Sequence, residues 1–170
     1  KRNPMTIHYR NHLIETDRET IEDILKSTGM FSKEEIDVAL ELVDEGLIKG
    51  NSSGYHFLLA AGDGDEILGY TCFGPIPCTT NSYDLYWIAV RHDLQSKGIG
   101  KNLLKRTQRI ITNLGGERVY IETSSRSVYE PTRGFYLRSG YRKEAMIKDF
   151  YSTGDDKIVY FRKLSAEESS

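Results

Sequence analysis

The strongest constraint on the fold is a change of hydrophobic period near residue 90. Tyr83-Asp84-Leu85-Tyr86-Trp87-Ile88-Ala89-Val90 is almost continuously apolar, as expected of a central strand buried on both faces. After Arg91 to Ser96 the period lengthens. Ile99, Leu103, Thr107, Ile110, Ile111 and Leu114 form one helical stripe. Gly115-Gly116 supplies a C-terminal cap, and Val119 to Thr123 reads as another strand. Strand, helix and strand make a β-α-β unit.

The flanking segments add hairpins and helices. Met5 to Arg10 alternates as a first strand. Thr16-Asp17-Arg18-Glu19 and Ser32-Lys33-Glu34-Glu35 both have the form of a capping box. Ile21, Ile24 and Leu25 follow the first box, and Ile36, Ala39, Leu40, Val43 and Leu47 follow the second. Tyr55 to Ala61 and Ile67 to Phe73 read as a hairpin about Gly62-Asp63-Gly64-Asp65. Pro131 suits the first turn of a helix that ends at Gly140. Tyr141 to Asp149 and Lys157 to Lys163 are two further strands around the turn Gly154-Asp155-Asp156. The expected order is β-α-α-β-β-β-α-β-α-β-β, an α+β class with a mixed sheet. One domain is expected over 6–164, with flexible ends at 1–5 and 165–170.

Composition excludes several partners. The formal net charge is −2, without the basic patch that nucleic acid requires. No apolar run approaches the ~20 residues of a membrane span, and Lys1-Arg2-Asn3-Pro4 opens no signal peptide. Neither nucleic acid nor membrane is an expected partner, and a cytoplasmic location is expected. Cys72 and Cys78 lack metal-ligand spacing, and the four histidines form no HExxH pair, so no metal site is expected.

The chemistry concentrates at Gln95-Ser96-Lys97-Gly98-Ile99-Gly100-Lys101. A helix N-terminus carries unsatisfied amides and a partial positive charge. Gly98 and Gly100 let an anion approach those amides, and Lys97 and Lys101 add charge beside them. The stretch reads as a phosphate or pyrophosphate cradle. It is not a Walker A loop, because Asn102 follows Lys101 and Gln95 stands where the first glycine belongs. It is not a dinucleotide fingerprint, because Leu103 occupies the third glycine position.

Gln95-x-x-Gly98-x-Gly100, after the strand Leu85-x-x-Ile88-x-Val90, resembles the central cofactor motif of the GNAT superfamily of N-acetyltransferases. Phe135-Tyr136-Leu137-Arg138-Ser139-Gly140-Tyr141 resembles the family's FYxxxGF segment, and the element order is similar over Thr6 to Leu164. The resemblance implies a GNAT-like acyl-CoA N-acyltransferase fold with acetyl-CoA as cosubstrate. Main-chain groups of Ile88, Ala89 and Val90 would pair with the pantetheine arm. The amides of Lys97, Gly98, Ile99, Gly100 and Lys101 would hold the pyrophosphate, with Gln95 and Ser96 also counted as cofactor-binding. The family's fourth and fifth strands splay apart to admit the thioester.

Amine acetylation needs a base for the amine proton, donors for the oxyanion and a proton for the departing thiolate. Tyr136 matches the tyrosine that many family members point at the sulfur, and is the candidate acid. Glu122 resembles the glutamate of ribosomal-protein N-terminal acetyltransferases and is the first candidate base; alternation places it with Tyr120 and opposite Ile121. Asp84 is the second, an acid on an otherwise apolar strand. A packed aromatic and a surface ion pair are the structural alternatives for Tyr136 and Glu122.

The tail Lys148-Asp149-Phe150-Tyr151 also resembles the last hairpin of protein N-terminal acetyltransferases. The expected reaction is direct acetyl transfer to a primary amine, on a small molecule or a peptide, in a ternary complex. A non-catalytic acyl-CoA-binding regulatory module and an acyltransferase for longer acyl groups are the alternatives. The identity of the acceptor and the oligomeric state, a homodimer included, stay open.

Overall fold

The computed structural model describes residues 5–166; the remainder of the expected flexible ends, 1–4 and 167–170, lies outside the described residues. Seven strands and four α-helices follow in the expected order: β1 (His8–Arg10), α1 (Asp17–Ser27), α2 (Lys33–Lys49), β2 (His56–Ala61), β3 (Ile67–Pro75), β4 (Ser82–Val90), α3 (Ile99–Asn113), β5 (Arg118–Ser124), α4 (Glu130–Arg138), β6 (Arg142–Ser152) and β7 (Asp155–Lys163). Short 3-10 turns precede β2, α3 and α4. The sheet order is β1-β2-β3-β4-β5-β7-β6. β4 and β5 run parallel, and the hairpin pairs β2–β3 and β6–β7 run antiparallel. The sheet is therefore mixed.

The chain divides into two compact units, which share β4 and α3 along their lengths. The first comprises the chain to Gly74 with Trp87–Thr107. Its core includes Ile21, Ile24, Leu25 and Val43 from the helices, Leu59 and Tyr70 from the strands, and Leu103 from α3, all essentially inaccessible. α2 starts as predicted: the Ser32 side chain accepts from the Glu35 amide, and the Glu35 carboxylate accepts from the Ser32 amide. Gly46, rather than Leu47, lies fully buried on this helix. A side chain there would strike Phe57, whose ring atom lies 2.6 Å from the ideal Cβ position.

The first predicted capping box does not form. Thr16 adopts helical angles and makes no side-chain cap. Asp17 instead turns inward, takes a bidentate pair of hydrogen bonds from Arg10 at 2.5 and 2.7 Å, and accepts from the Ile14 amide at 2.8 Å. The first amides of α1 are taken up by the main chain instead, Asp17 donating to the Ile14 carbonyl at 2.9 Å and Arg18 to that of Glu15 at 3.4 Å.

The second unit comprises Pro75–Tyr86 and the chain from Gln108 onward. Here α3 ends at Gly115 (φ +88°), and the Gly116 amide donates to Ile111 at 2.8 Å. A Cβ on Gly116 would fall 2.3 Å from Ile111 and 2.8 Å from Tyr83, so only glycine fits. Leu114, placed in the predicted stripe, is exposed, one residue past the end of α3 at Asn113. Pro131 sits in the first turn of α4, and Gly140 (φ +86°) closes it. The last hairpin is tighter than expected. Asp155 already belongs to β7 and pairs with Ser152, leaving Thr153-Gly154 as the turn.

Candidate acyltransferase site

The first group of candidate residues lies in the first unit. β4 is less buried than its sequence suggests: Tyr86, Trp87, Ile88 and Val90 are half-buried, whereas Leu85 and Ala89 are buried. β4 pairs with β5 through Ser82–Asp84 and Arg118–Tyr120. Beyond that ladder, the end of β4 approaches β3 closely. The Arg91 amide donates to Leu68 at 2.9 Å, and a Cβ on Gly69 would lie 2.8 Å from the Ala89 carbonyl.

The loop after β4 is built for main-chain exposure. Leu94 is its buried anchor, and its amide donates to Arg91 at 2.9 Å. The Gln95 side chain donates back to the Val90 carbonyl at 3.3 Å, tying the loop to the strand end. Ser96 (φ +62°) and Gly98 (φ +85°) then adopt left-handed angles. Two such residues around Lys97 reverse the chain into α3 without covering the helix head. The first intrahelical bond is Asn102 amide to Gly98 carbonyl, 3.0 Å. By helix geometry the amides of Ile99, Gly100 and Lys101 have no partner within the helix. Gln95 to Gly98 and Lys101 are exposed, and no heavy atom lies within 4 Å of a Cβ built on Gly98. An anion meets amides, a positive helix end and the Lys97 and Lys101 ammonium groups, which suits a pyrophosphate.

The second group lies in the second unit. Asp84 pairs with Tyr120 across the short β4–β5 ladder, and Glu122 follows on the same face of β5. The alternation is as predicted, with Val119, Ile121 and Thr123 buried and Glu122 exposed. Lys157 of β7 donates to Glu122 at 2.7 Å, and its ammonium lies 4.4 Å from the Phe150 ring centre. Burial pushes the Asp84 carboxyl up to about 6, the Glu122 charge adds to the rise, and Lys157 opposes it. The two candidate bases thus lie on one face, Glu122 in an ion pair with Lys157 and Asp84 with its carboxyl raised above the usual aspartate range. Lys157 escaped the sequence reading because the β5–β7 register, which pairs Ser124 with Lys157 and Glu122 with Val159, brings it diagonally beside Glu122; no local motif marks it.

Tyr136 is 4% exposed, on the buried side of α4, with ring neighbours Phe135, Tyr141 and Tyr160 at centroid distances of 5.5, 5.8 and 6.0 Å. Burial raises its phenol far above the ordinary range, so it stays protonated. Cys72 is buried and its thiol is likewise pushed up by desolvation, which removes it as a nucleophile. Among the described residues no group of three or more His, Cys, Asp or Glu could hold a metal ion, and no helix is long and apolar enough to cross a membrane.

Residues 18–141 match the family model described as the Acetyltransferase (GNAT) family. The chain belongs to the GNAT acetyltransferase family. It is 29% identical to the uncharacterized N-acetyltransferase YvbK of Bacillus subtilis (strain 168) over 125 residues, 73% of this chain and 74% of that protein. A crystal structure from Desulfovibrio desulfuricans assigned to the GNAT family is 42% identical, with a TM-score of 0.89 over 94% of this chain and 100% of that one. The PaiA N-acetyltransferase of Thermoplasma acidophilum, solved in complex with coenzyme A, shares the fold. It is 21% identical with a TM-score of 0.72, covering 94% of this chain and 99% of that one. This GNAT chain has the mixed α/β fold of its family, and it is an acyltransferase.

Proposed function

We propose that this GNAT protein transfers an acetyl group from acetyl-CoA to a primary amine, by direct attack in a ternary complex. The observation that carries the reading is the head of α3. Ser96 and Gly98 at positive φ lead into the head of α3 between two lysines, immediately after β4. That geometry fits a diphosphate followed by an extended arm bearing amides, which is the chemistry of CoA. Acetyl-CoA supplies the activated acyl group.

The residues divide the remaining work. The main chain of Ile88, Ala89 and Val90 orients the arm, and Gln95 to Lys101 hold the pyrophosphate. Asp84 accepts the amine proton. An amine with a pKa of ~8 to ~10 must lose a proton to react, and a carboxyl near 6 is ionised at neutral pH yet more basic than an ordinary aspartate. Glu122, held by Lys157, keeps the local potential negative, which raises Asp84 and favours a cationic acceptor. Tyr136, kept protonated by burial, supplies the proton to the departing thiolate.

The test is release of free thiol from acetyl-CoA in the presence of a panel of primary amines, with the acetylated product confirmed by mass. The expected result is amine-dependent thiol release matched by one acetyl group on the acceptor. Stabilisation by acetyl-CoA without thiol release for any amine class would leave a binding module and overturn the enzymatic reading. Release with longer acyl-CoA but not acetyl-CoA would overturn the acetyl assignment.

A further inference from the structure

β6 differs from every other strand of the sheet. All 11 of its residues, Arg142 to Ser152, are exposed, on both faces. Met146 and Ile147, at its centre, are 55% and 46% exposed. They lie on opposite faces, because Met146 pairs with Ile158 of β7 and Ile147 with Lys157. β6 is also the last strand of the sheet among the described residues. An edge strand offers a row of main-chain donors and acceptors to any strand laid beside it, and proteins guard such an edge with proline, bulges or charge, lysine above all. β6 contains no proline. Its ladder to β7 shifts register around Glu144 and again after Ile147, which leaves Ala145–Ile147 as a regular stretch. Its charges are of both signs: Arg142, Lys143, Glu144, Lys148 and Asp149.

That charge pattern is complementary to itself. Two copies of one strand pair antiparallel about a two-fold axis normal to the sheet, and the axis sets one residue opposite its own copy. With the axis at Met146, Ala145 faces Ile147, Glu144 faces Lys148 and Lys143 faces Asp149. Each pairing occurs twice, so four contacts of opposite charge flank an apolar centre. Moving the axis to Ala145 sets Arg142 against Lys148, two cations. Moving it to Ile147 leaves no oppositely charged pair. One register is therefore selected over its neighbours. Glu144 already accepts from Arg142 at 2.8 Å, an exposed contact of little worth, and a carboxylate has room for a second donor. Asp149 also holds the hairpin end by accepting from the Gly154 amide at 2.8 Å. The inner pair, Glu144 with Lys148, is thus the cleaner one to test.

We propose that β6 is a homodimer interface, on which it pairs antiparallel with β6 of a second copy of this chain, Met146 opposite the partner's Met146 and Glu144 opposite the partner's Lys148. The pairing satisfies the main-chain groups of both edges. It also covers Met146 on one face, and Ile147 against the partner's Ala145 on the other. It is independent of the acetyl-CoA reading.

The experiment is sedimentation velocity over a concentration series. The wild type is compared with Glu144→Lys, Lys148→Glu and the variant carrying both changes. The expected result is a reversible monomer–dimer equilibrium for the wild type. Each single reversal sets like charges opposite one another twice, and should weaken the dimer by ~10-fold or more. The double exchange restores opposite charges and should return the dimer to within ~3-fold of the wild type. In a second measurement Met146→Cys is made in a Cys78→Ser background, since Cys78 is exposed. A residue facing its own copy across an antiparallel pair has a Cα–Cα separation of ~4.5–5.5 Å, within disulfide range. Mild oxidation should therefore join two chains through position 146, and should not do so for Lys143→Cys in the same background. A wild type that is monomeric at every concentration would overturn the proposal. So would a dimer that neither reversal weakens, or a double exchange as weak as the single ones. Should a charge variant lose its fold, the cross-link at position 146 still decides the matter.

Discussion

At the scale of single residues, the proton inventory of Asp84 sets the first prediction. Its folded pKa of about 6 lies above the ~3.9 of an unfolded aspartate. Between those values the native state binds more protons than the unfolded one. The group's contribution to stability is therefore fully present at low pH and falls as pH rises through that window. Asp84→Asn removes the ionisable group and its penalty. The variant should melt above the wild type at about pH 8, with the gap closing by about pH 4. Its acyl-transfer rate should fall ~10²-fold or more, and the wild-type rate should lose its acidic limb near pH 6 in the variant. A variant of lowered melting temperature and intact rate would make Asp84 structural. Tyr136→Phe is predicted to leave CoA affinity unchanged and to slow turnover ~10²-fold, since the ring packing against Phe135, Tyr141 and Tyr160 is kept while the proton source is lost. Steady-state kinetics with acetyl-CoA checks this. Asp84 and Glu122 were legible as candidates because an acid on an apolar strand stands out by alternation alone. The ion pair that Lys157 makes with Glu122 was not, since only the β5–β7 register delivers it.

At the scale of elements, the junction of β4 and α3 is the proposed cofactor cradle, and its backbone angles are what commend it. Gly98 at φ +85° faces open space, so Gly98→Ala suffers conformational strain of ~1–2 kcal/mol rather than a clash. Gly100→Glu puts bulk and negative charge among amides that have no intrahelical partner. It should abolish CoA binding in calorimetry while leaving the far-ultraviolet spectrum of the free protein unchanged. Binding within a few-fold of the wild type would remove the α3 head as the pyrophosphate cradle. This junction was readable because its signals are local: an apolar run, two glycines and a helical stripe. The entry to α1 was misread for the opposite reason. Thr16-x-x-Glu19 has the form of a capping box, yet Arg10, seven residues before Asp17, claims the turn for an ion pair. A similar limit applies to β4, whose Tyr86, Trp87 and Ile88 are half-buried although the run reads as apolar throughout.

At the scale of the whole molecule, stability and ligand binding are linked, and the Arg10–Asp17 pair offers a way to measure the link without touching the site. The two side chains are 12% and 3% exposed, so removing one leaves a charge stranded in the fold. Breaking a buried pair of this kind costs ~3–5 kcal/mol. At ~2–4 °C per kcal/mol for a domain of this size, Asp17→Ala should lower the melting temperature by ~10 °C. Acetyl-CoA that binds only the native state adds RT ln(1 + [L]/Kd), ~2.7 kcal/mol at a hundred times Kd. The two quantities are of the same order. Asp17→Ala saturated with acetyl-CoA should therefore melt close to the ligand-free wild type, and the wild type should gain a similar increment, in a thermal titration over several ligand concentrations. The increment must grow with the logarithm of concentration in both proteins, because linkage depends on Kd and not on which contact was lost. An increment confined to the wild type would mean that Asp17 shapes the cofactor site itself. An increment absent from both would remove acetyl-CoA as the ligand of the native state.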